Sequence, residues 1–167
     1  MLIRLNKFKE MKRIVFVFIP IFLFALNYAQ PPAVSFDQLK PRLSTSSDSV
    51  YVVNFWATWC VPCVKELPEF EKLNEVYADM KVKVLLVSLD NPRHMDSRVV
   101  PFIEQHNLRS EILLLDDPRS NRWIPEVDES WSGAIPATVF FTKDSRSFYE
   151  KAFTYEELDN IVKSKLN

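Results

Sequence analysis

The sequence predicts an α/β fold with a central mixed sheet and helices on both faces of that sheet. Apolar segments typical of buried strands alternate with longer segments of helical periodicity, and strand–helix–strand units produce parallel strands covered by helices. A late apolar strand, residues 137–141, is followed by a polar turn at 142–145 and a partner strand over 147–153, which predicts an antiparallel hairpin that adds edge strands. The length of 167 residues and the apolar content of 47% fit one ordinary domain with a proper core.

The first predicted elements are two helices and two strands. A Ser-x-x-Gln capping box predicts a short helix over residues 35–43. The almost continuous apolar segment 50–55 is typical of a buried central strand. A helix is predicted over residues 60–79, with a kink near Pro68 because proline lacks the backbone N–H that a helix interior needs. The mostly apolar segment 82–89 is the next predicted strand.

The later elements are shorter. An aspartate at the first position favours a helix over residues 96–106, and the apolar segment 112–115 predicts a short strand. Residues 116–132 carry paired aspartates, prolines and two tryptophans, and we predict an irregular segment whose tryptophans shield a loop rather than line a partner groove. After the hairpin, a Thr-x-x-Glu capping box opens the final helix at Thr154.

The N-terminus has the pattern of a targeting segment. Residues 1–13 carry five basic side chains and one acidic side chain, and residues 14–26 are apolar except for one proline. An apolar run of this length falls short of the roughly 20 residues that a membrane span needs, so a cleaved signal is favoured over an N-terminal membrane anchor. We therefore predict a signal peptide over 1–29 and one domain over 30–167, in a periplasmic or otherwise exported protein.

The charge of the predicted domain argues against nucleic acid as a partner. Without the first 29 residues, 16 basic and 21 acidic side chains remain, a net charge of about −5. No basic run or patch stands out in this acidic remainder, whereas nucleic-acid binding requires clustered positive charge.

The two cysteines of the chain are Cys60 and Cys63. A disulfide across a two-residue spacer closes almost no loop and stabilises little, so we interpret this pair as redox-active. Half of a zinc site is the alternative, but such a site needs further Cys or His ligands, and the only histidines are His94 and His106. The sequence therefore indicates thiol–disulfide exchange, and we expect no metal or cofactor.

The position of the pair at a predicted helix start suggests separate roles for the two thiols. Exposed backbone N–H groups there favour a negative charge, so the pKa of Cys60 is expected to be lowered and its thiolate to be the nucleophile. Cys63 lies one turn deeper and would resolve the mixed disulfide. Pro62 does not destabilise the first turn of the helix, where its missing N–H would have no helical partner. Trp59 either contacts a partner protein or packs in the core.

Glu66 is the second candidate catalytic residue. It projects into the apolar face of the predicted helix, three residues from Cys63, where burial should raise its pKa and let it accept the proton of that thiol. The alternative is a surface glutamate or one paired with Lys65. Asn54, the polar residue of the strand before the helix, is uncharged and cannot serve as a base. The apolar face is predicted to consist of Cys63, Leu67, Phe70, Leu73, Tyr77 and Met80.

The segment 53–68, VNFWATWCVPCVKELP, resembles the thioredoxin superfamily and in particular its exported TlpA/ResA-like branch. Pro68 matches the proline that kinks the family's active-site helix, and Glu66 matches the branch's buried acid. The segment 135–138 is similar to the family's cis-proline loop, which packs beside the disulfide and pairs with the substrate backbone. The resemblance covers residues 33–167, although the turn at 143–146 lacks the family's usual glycine.

The resemblance implies a thioredoxin-like three-layer sandwich and a protein-disulfide oxidoreductase. Substrate contacts are expected at Trp59, Pro62, Ile135 and Pro136. The implied partners are protein thiols and disulfides, apocytochrome c cysteines among them, with a membrane-embedded thiol reductase as electron donor. Two other functions remain open: a thiol peroxidase, and a copper-delivery protein that uses the cysteine pair with a histidine.

Overall fold

A computed structural model describes residues 30–166, which form one six-stranded sheet in the order β1-β4-β3-β2-β5-β6. The first four strands in this order are parallel, and β5 and β6 run antiparallel to their neighbours. The predicted mixed sheet is therefore confirmed. The strands are β1 (Ala33–Val34), β2 (Val50–Trp56), β3 (Val82–Ser88), β4 (Glu111–Leu115), β5 (Ala137–Phe141) and β6 (Arg146–Tyr149).

Helices cover both faces of the sheet, as predicted. Buried side chains of α2, α3 and α5 pack on one face, and those of α1 and α4 pack on the other. The three layers follow from the right-handed crossovers that parallel strands require. The helices are α1 (Phe36–Leu39), α2 (Val61–Val76), α3 (Val100–Gln105), α4 (Ser120–Val127) and α5 (Tyr155–Leu166).

Strand β2 is the centre of the core. Its side chains alternate between the two faces: Val52 and Trp56 belong to the cluster beneath α2, whereas Val53 and Phe55 belong to the cluster beneath α1 and α4. All four are fully buried. Burial on both faces explains why this segment has a continuous apolar run, and Asn54 is placed on the α2 side.

The prediction of an irregular segment over residues 116–132 was wrong, because α4 lies within it. Trp123 and Val127 are four residues apart, so they share one side of the helix and are both buried against the sheet. The indole N–H of Trp123 donates to the carbonyl oxygen of Asp117 at 3.0 Å. Both tryptophans of the segment are core residues, in line with the interpretation that they provide shielding.

Three further features differ from prediction. The single helix predicted over 96–106 is instead a π-turn at Met95–Val99 followed by α3; Pro101 offers no N–H to continue α-type bonding at that junction. Helix α2 ends at Val76, and Met80 is 51% exposed rather than part of the buried face. Within the predicted hairpin, β5 is an inner strand and only β6 lies at the edge.

Between residues 30 and 166, no helix is both long and apolar enough to cross a bilayer. The signal or anchor predicted over residues 1–29 lies outside the described part of the chain.

Phe70 tests the packing of α2 on the sheet. Its side chain is fully buried, so we expect Phe70→Ala to lower the free energy of unfolding by about 3–5 kcal/mol through lost burial and a residual cavity. Urea denaturation measures this loss. Lys65→Ala is the control, because Lys65 is exposed on the same helix and its replacement should change stability by less than about 0.5 kcal/mol. Similar losses in the two variants would contradict the packing.

Candidate active site

The site begins at the turn between β2 and α2. The backbone N–H of Cys60 donates to the carbonyl oxygen of Ala57 at 3.1 Å, which closes the turn and leaves Trp59 58% exposed. Thr58 is held from the neighbouring strand end: its backbone N–H and its hydroxyl donate to the carboxylate of Asp90 at 2.9 and 2.6 Å. The hydroxyl of Ser88 donates to the same buried carboxylate at 2.9 Å.

Sequence reasoning missed the role of Asp90 in this turn. One signal was present, because the carboxyl ends of the adjacent parallel strands β2 and β3 meet at one edge of the sheet. A polar residue two positions after β3 was therefore well placed to contact the turn that follows β2.

The two cysteines form a disulfide, with 2.02 Å between the sulfurs and 5.2 Å between the Cα atoms. Cys60 is the N-cap of α2, and its Sγ accepts a hydrogen bond from the backbone N–H of Cys63 at 3.3 Å. When Cys60 is reduced, this N–H and the positive end of the helix favour its thiolate. Cys63 is fully buried and Cys60 retains 6% exposure, so Cys60 is the outer sulfur.

The loop before β5 lies directly against the disulfide. The carbonyl oxygen of Ile135 is 3.6 Å from the Sγ of Cys60, and the Ile135–Pro136 peptide bond is cis. Pro136 is buried, and Ile135 is half-buried at the surface of the site. The structure therefore brings Ile135 and Pro136 to the cysteine pair, and Pro62 is exposed in the first turn of α2.

Glu66 is buried beneath the pair, with 2% of its surface exposed. One carboxylate oxygen accepts from the side-chain amide of Asn54 at 2.8 Å, and the other accepts from the backbone N–H of Phe153 at 2.8 Å. Both partners are neutral amides. The alternative, a surface glutamate or one in an ion pair with Lys65, is therefore wrong. The Asn54 amide also donates to the hydroxyl of Thr138 at 3.0 Å.

Burial raises the pKa of Glu66 from 4.5 to about 7, against the two hydrogen bonds that favour its ionised form. Desolvation outweighs the hydrogen bonds because the carboxylate is almost inaccessible to water. Neither of its two hydrogen-bond partners carries a positive charge. A carboxyl group that titrates near neutral pH can both accept and release a proton under ordinary conditions. Sequence reasoning identified the acid but not the backbone donor at Phe153, which comes from a distant part of the chain.

The two histidines lie at the surface. His94 is exposed, and His106 is exposed while its ring stacks on Phe102 with 4.0 Å between the ring centroids. Within residues 30–166, no group of three or more His, Cys, Asp or Glu side chains is placed to hold a metal ion.

Comparison with known proteins gives a consistent set of relatives. Residues 27–146 match the model of the AhpC/TSA family. The chain is similar to the thiol-disulfide oxidoreductase ResA of Oceanobacillus iheyensis, with 36% identity over 75% of this chain and 62% of that protein. It is also similar to the ResA of Geobacillus kaustophilus, with 33% identity over 74% of this chain and 67% of that protein.

The architecture matches solved structures as well. A thiol:disulfide interchange protein of the thioredoxin family from Chlorobium tepidum superimposes with a TM-score of 0.61 and 18% identity, over 77% of this chain and 85% of that chain. At this identity the likeness concerns the fold alone, and it confirms the predicted thioredoxin-like fold. The chain spans 38 to 62% of the length of three curated relatives, so less than two thirds of each is matched.

Proposed function

The chain belongs to the AhpC/TSA family, and from this premise we propose that it is a thiol–disulfide oxidoreductase that works through Cys60 and Cys63. One observation carries the proposal. The outer sulfur lies at the N-cap of α2 and receives the backbone N–H of Cys63, whereas the inner sulfur is fully buried behind it. This arrangement favours a thiolate at the surface and keeps its partner for the second step.

The reaction proceeds in two exchanges. The Cys60 thiolate attacks one sulfur of a substrate disulfide, a mixed disulfide forms, and the other substrate sulfur leaves as a thiolate. Cys63 then loses its proton and attacks the Sγ of Cys60, which releases the second substrate sulfur and forms the Cys60–Cys63 disulfide. Two electrons pass from the protein to the substrate, and the reverse sequence oxidises a substrate dithiol.

Glu66 is the proposed proton acceptor for the second exchange. Cys63 and Glu66 are three residues apart on α2, which places their side chains on one face of the helix. Cys63 is buried, so its thiol needs a nearby base to ionise. A carboxylate whose pKa is about 7 accepts this proton near neutral pH and returns it in the reverse reaction.

The proposed substrates are disulfides in extended polypeptides. Trp59 and Pro62 flank Cys60 in sequence and are exposed, and the backbone of Ile135, which precedes Pro136, lies beside the outer sulfur. A polypeptide between them would meet apolar side chains and the backbone of residue 135, close to the reacting sulfur. This surface suits many protein substrates, because hydrogen bonds between backbones do not depend on the substrate sequence.

The proposed setting is outside the cytoplasm. A signal or anchor over residues 1–29 would export the domain or tether it to the membrane, and a membrane-embedded thiol reductase would return Cys60 and Cys63 to the dithiol form. Similarity to relatives named thiol-disulfide oxidoreductases supports thiol–disulfide exchange. The reducing direction, with apocytochrome c cysteines among the proposed substrates, is what the resemblance of segment 53–68 to the TlpA/ResA-like branch implies.

A redox titration in glutathione buffers tests this direction. Potentials of thioredoxin-fold dithiols range from about −270 mV for reductants to about −120 mV for strong oxidants. We expect the Cys60–Cys63 pair to lie below about −200 mV, as measured by the fraction of alkylated thiol. A potential near −120 mV would contradict a reductase. Rapid peroxide consumption, or stoichiometric copper binding that is lost in His94→Ala or His106→Ala, would favour the peroxidase or the copper-delivery protein instead.

A further inference from the structure

The loop between α4 and Pro136 is held by hydrogen bonds at two points. The indole N–H of Trp131 donates to the carbonyl oxygen of Ala134 at 2.8 Å. The backbone N–H and the hydroxyl of Ser132 donate to the carboxylate of Glu150, the first at 2.8 Å. Residues 132–134 are therefore held at both ends, shortly before the proline that lies beside the disulfide.

The ring of Trp131 is fixed by the core. Its centroid lies 4.8 Å from that of Phe55, 5.6 Å from that of Trp123 and 5.8 Å from that of Phe148. Only 5% of the residue is exposed. Because β2, α4 and β6 all contribute to this contact, the indole N–H has a defined position from which to hold the loop.

The backbone between these hydrogen bonds follows an unusual path. Gly133 is the single glycine of the chain and has a φ of 94°, in the left-handed region that other residues rarely adopt. A Cβ atom there would come within 3.2 Å of the Ile124 side chain of α4. A glycine also loses the most conformational freedom on ordering, so the loop depends on outside contacts to keep one conformation.

We propose that Trp131 is a positioning residue for polypeptide substrates and acts by holding the Ala134 carbonyl. This inference rests on the proposed function. With Ala134 held, the next residue is kept with its carbonyl oxygen 3.6 Å from the Sγ of Cys60, where an extended substrate must bind. A small disulfide needs only the sulfur and not the loop. Trp131 therefore affects the affinity for polypeptides and not the chemistry of the cysteine pair.

Trp131→Phe tests the inference, because it keeps an aromatic ring and removes the N–H. Trp123→Phe is the matched control: Trp123 belongs to the same aromatic cluster, has the same 5% exposure and also donates its indole N–H to a carbonyl oxygen, but that of Asp117. Each variant is assayed, in its reduced form, with insulin and with bis(2-hydroxyethyl) disulfide. We expect Trp131→Phe to raise KM for insulin by about five- to tenfold, the effect of one lost hydrogen bond, with kcat and the small-disulfide rate within twofold.

Equal KM values for insulin in the two tryptophan variants would overturn the inference, and so would an equal loss with both substrates in Trp131→Phe. If Trp131→Phe does not fold, Glu150→Ala removes the other anchor from an exposed position. We then expect Glu150→Ala to raise KM for insulin without slowing the reaction with the small disulfide. Any other result would overturn the inference. A reduced wild-type protein that reacts with neither substrate would refute the proposed function itself, before any variant is compared.

Discussion

Cys60→Ser is expected to abolish the reduction of insulin disulfides, with a rate at least about a thousandfold below that of the wild type. A serine hydroxyl stays protonated at neutral pH and cannot replace the thiolate at the N-cap of α2. Cys63→Ser keeps the outer nucleophile, so the first exchange still occurs. It lacks the resolving thiol and should accumulate mixed disulfides with substrate, which mass spectrometry under non-reducing conditions measures.

Each cysteine variant is the experimental control for the other. They remove one sulfur each from the same disulfide, so their effects on stability should be similar while their trapping behaviour differs. Equal trapping by Cys60→Ser and Cys63→Ser would contradict the assigned roles. So would equal alkylation rates of the two thiols at neutral pH in the reduced wild-type protein, because only the outer sulfur is both accessible and activated.

The parts of the site that sequence reasoning located are those carried by one continuous segment. Strand β2, the turn and α2 lie between residues 50 and 76, and helical periodicity alone places Glu66 on the same face as Cys63. The carboxylate was identified because an acidic residue interrupts an apolar face. These inferences require no knowledge of how distant segments meet.

The contacts that complete the site are long-range, and local patterns do not encode them. Phe153 reaches Glu66 from 87 residues away, and Asp90 reaches Thr58 from 32 residues away. Helix α4 was missed for a different reason. Its eight residues include Pro125 and follow an aspartate-rich turn, so breaker signals outweighed the short spacing between Trp123 and Val127. Trp131 packs on Trp123 of α4, so the position from which it holds the loop also depends on this helix.

The same long-range contacts allow Glu66 to be buried, and it is burial that raises its pKa to about 7. Asn54 and Phe153 satisfy both carboxylate oxygens, which allows the group to be buried without an opposite charge. An added cation would return the pKa toward the ordinary range of a glutamate. A neutral donor set therefore suits a residue that must exchange protons rather than remain ionised.

Glu66→Gln should slow the second exchange near neutral pH without unfolding the protein. Glutamine keeps the size of the side chain but cannot accept the proton of Cys63. Because the pKa of Glu66 is about 7, the wild-type rate should rise with pH through that value, and the variant should lose this rise. The expected deficit is about a hundredfold or more at pH 8, as measured by stopped-flow fluorescence. Identical pH–rate profiles for the wild type and Glu66→Gln would rule out Glu66 as the proton acceptor.

The pH dependence of stability should change in a defined direction as well. The pKa of Glu66 rises from 4.5 to about 7 on folding, so its stabilising contribution is complete below pH 4.5 and is lost as pH increases through about 7. Relative to Glu66→Gln, the oxidised wild type should therefore lose up to about 3 kcal/mol of unfolding free energy over this interval. Glu75→Gln, at an exposed position of the same helix, should leave the wild-type dependence intact. A wild type that instead gained stability relative to Glu66→Gln would mean that the hydrogen bonds from Asn54 and Phe153 outweigh desolvation, and Glu66 would then be a fixed anion unable to relay protons.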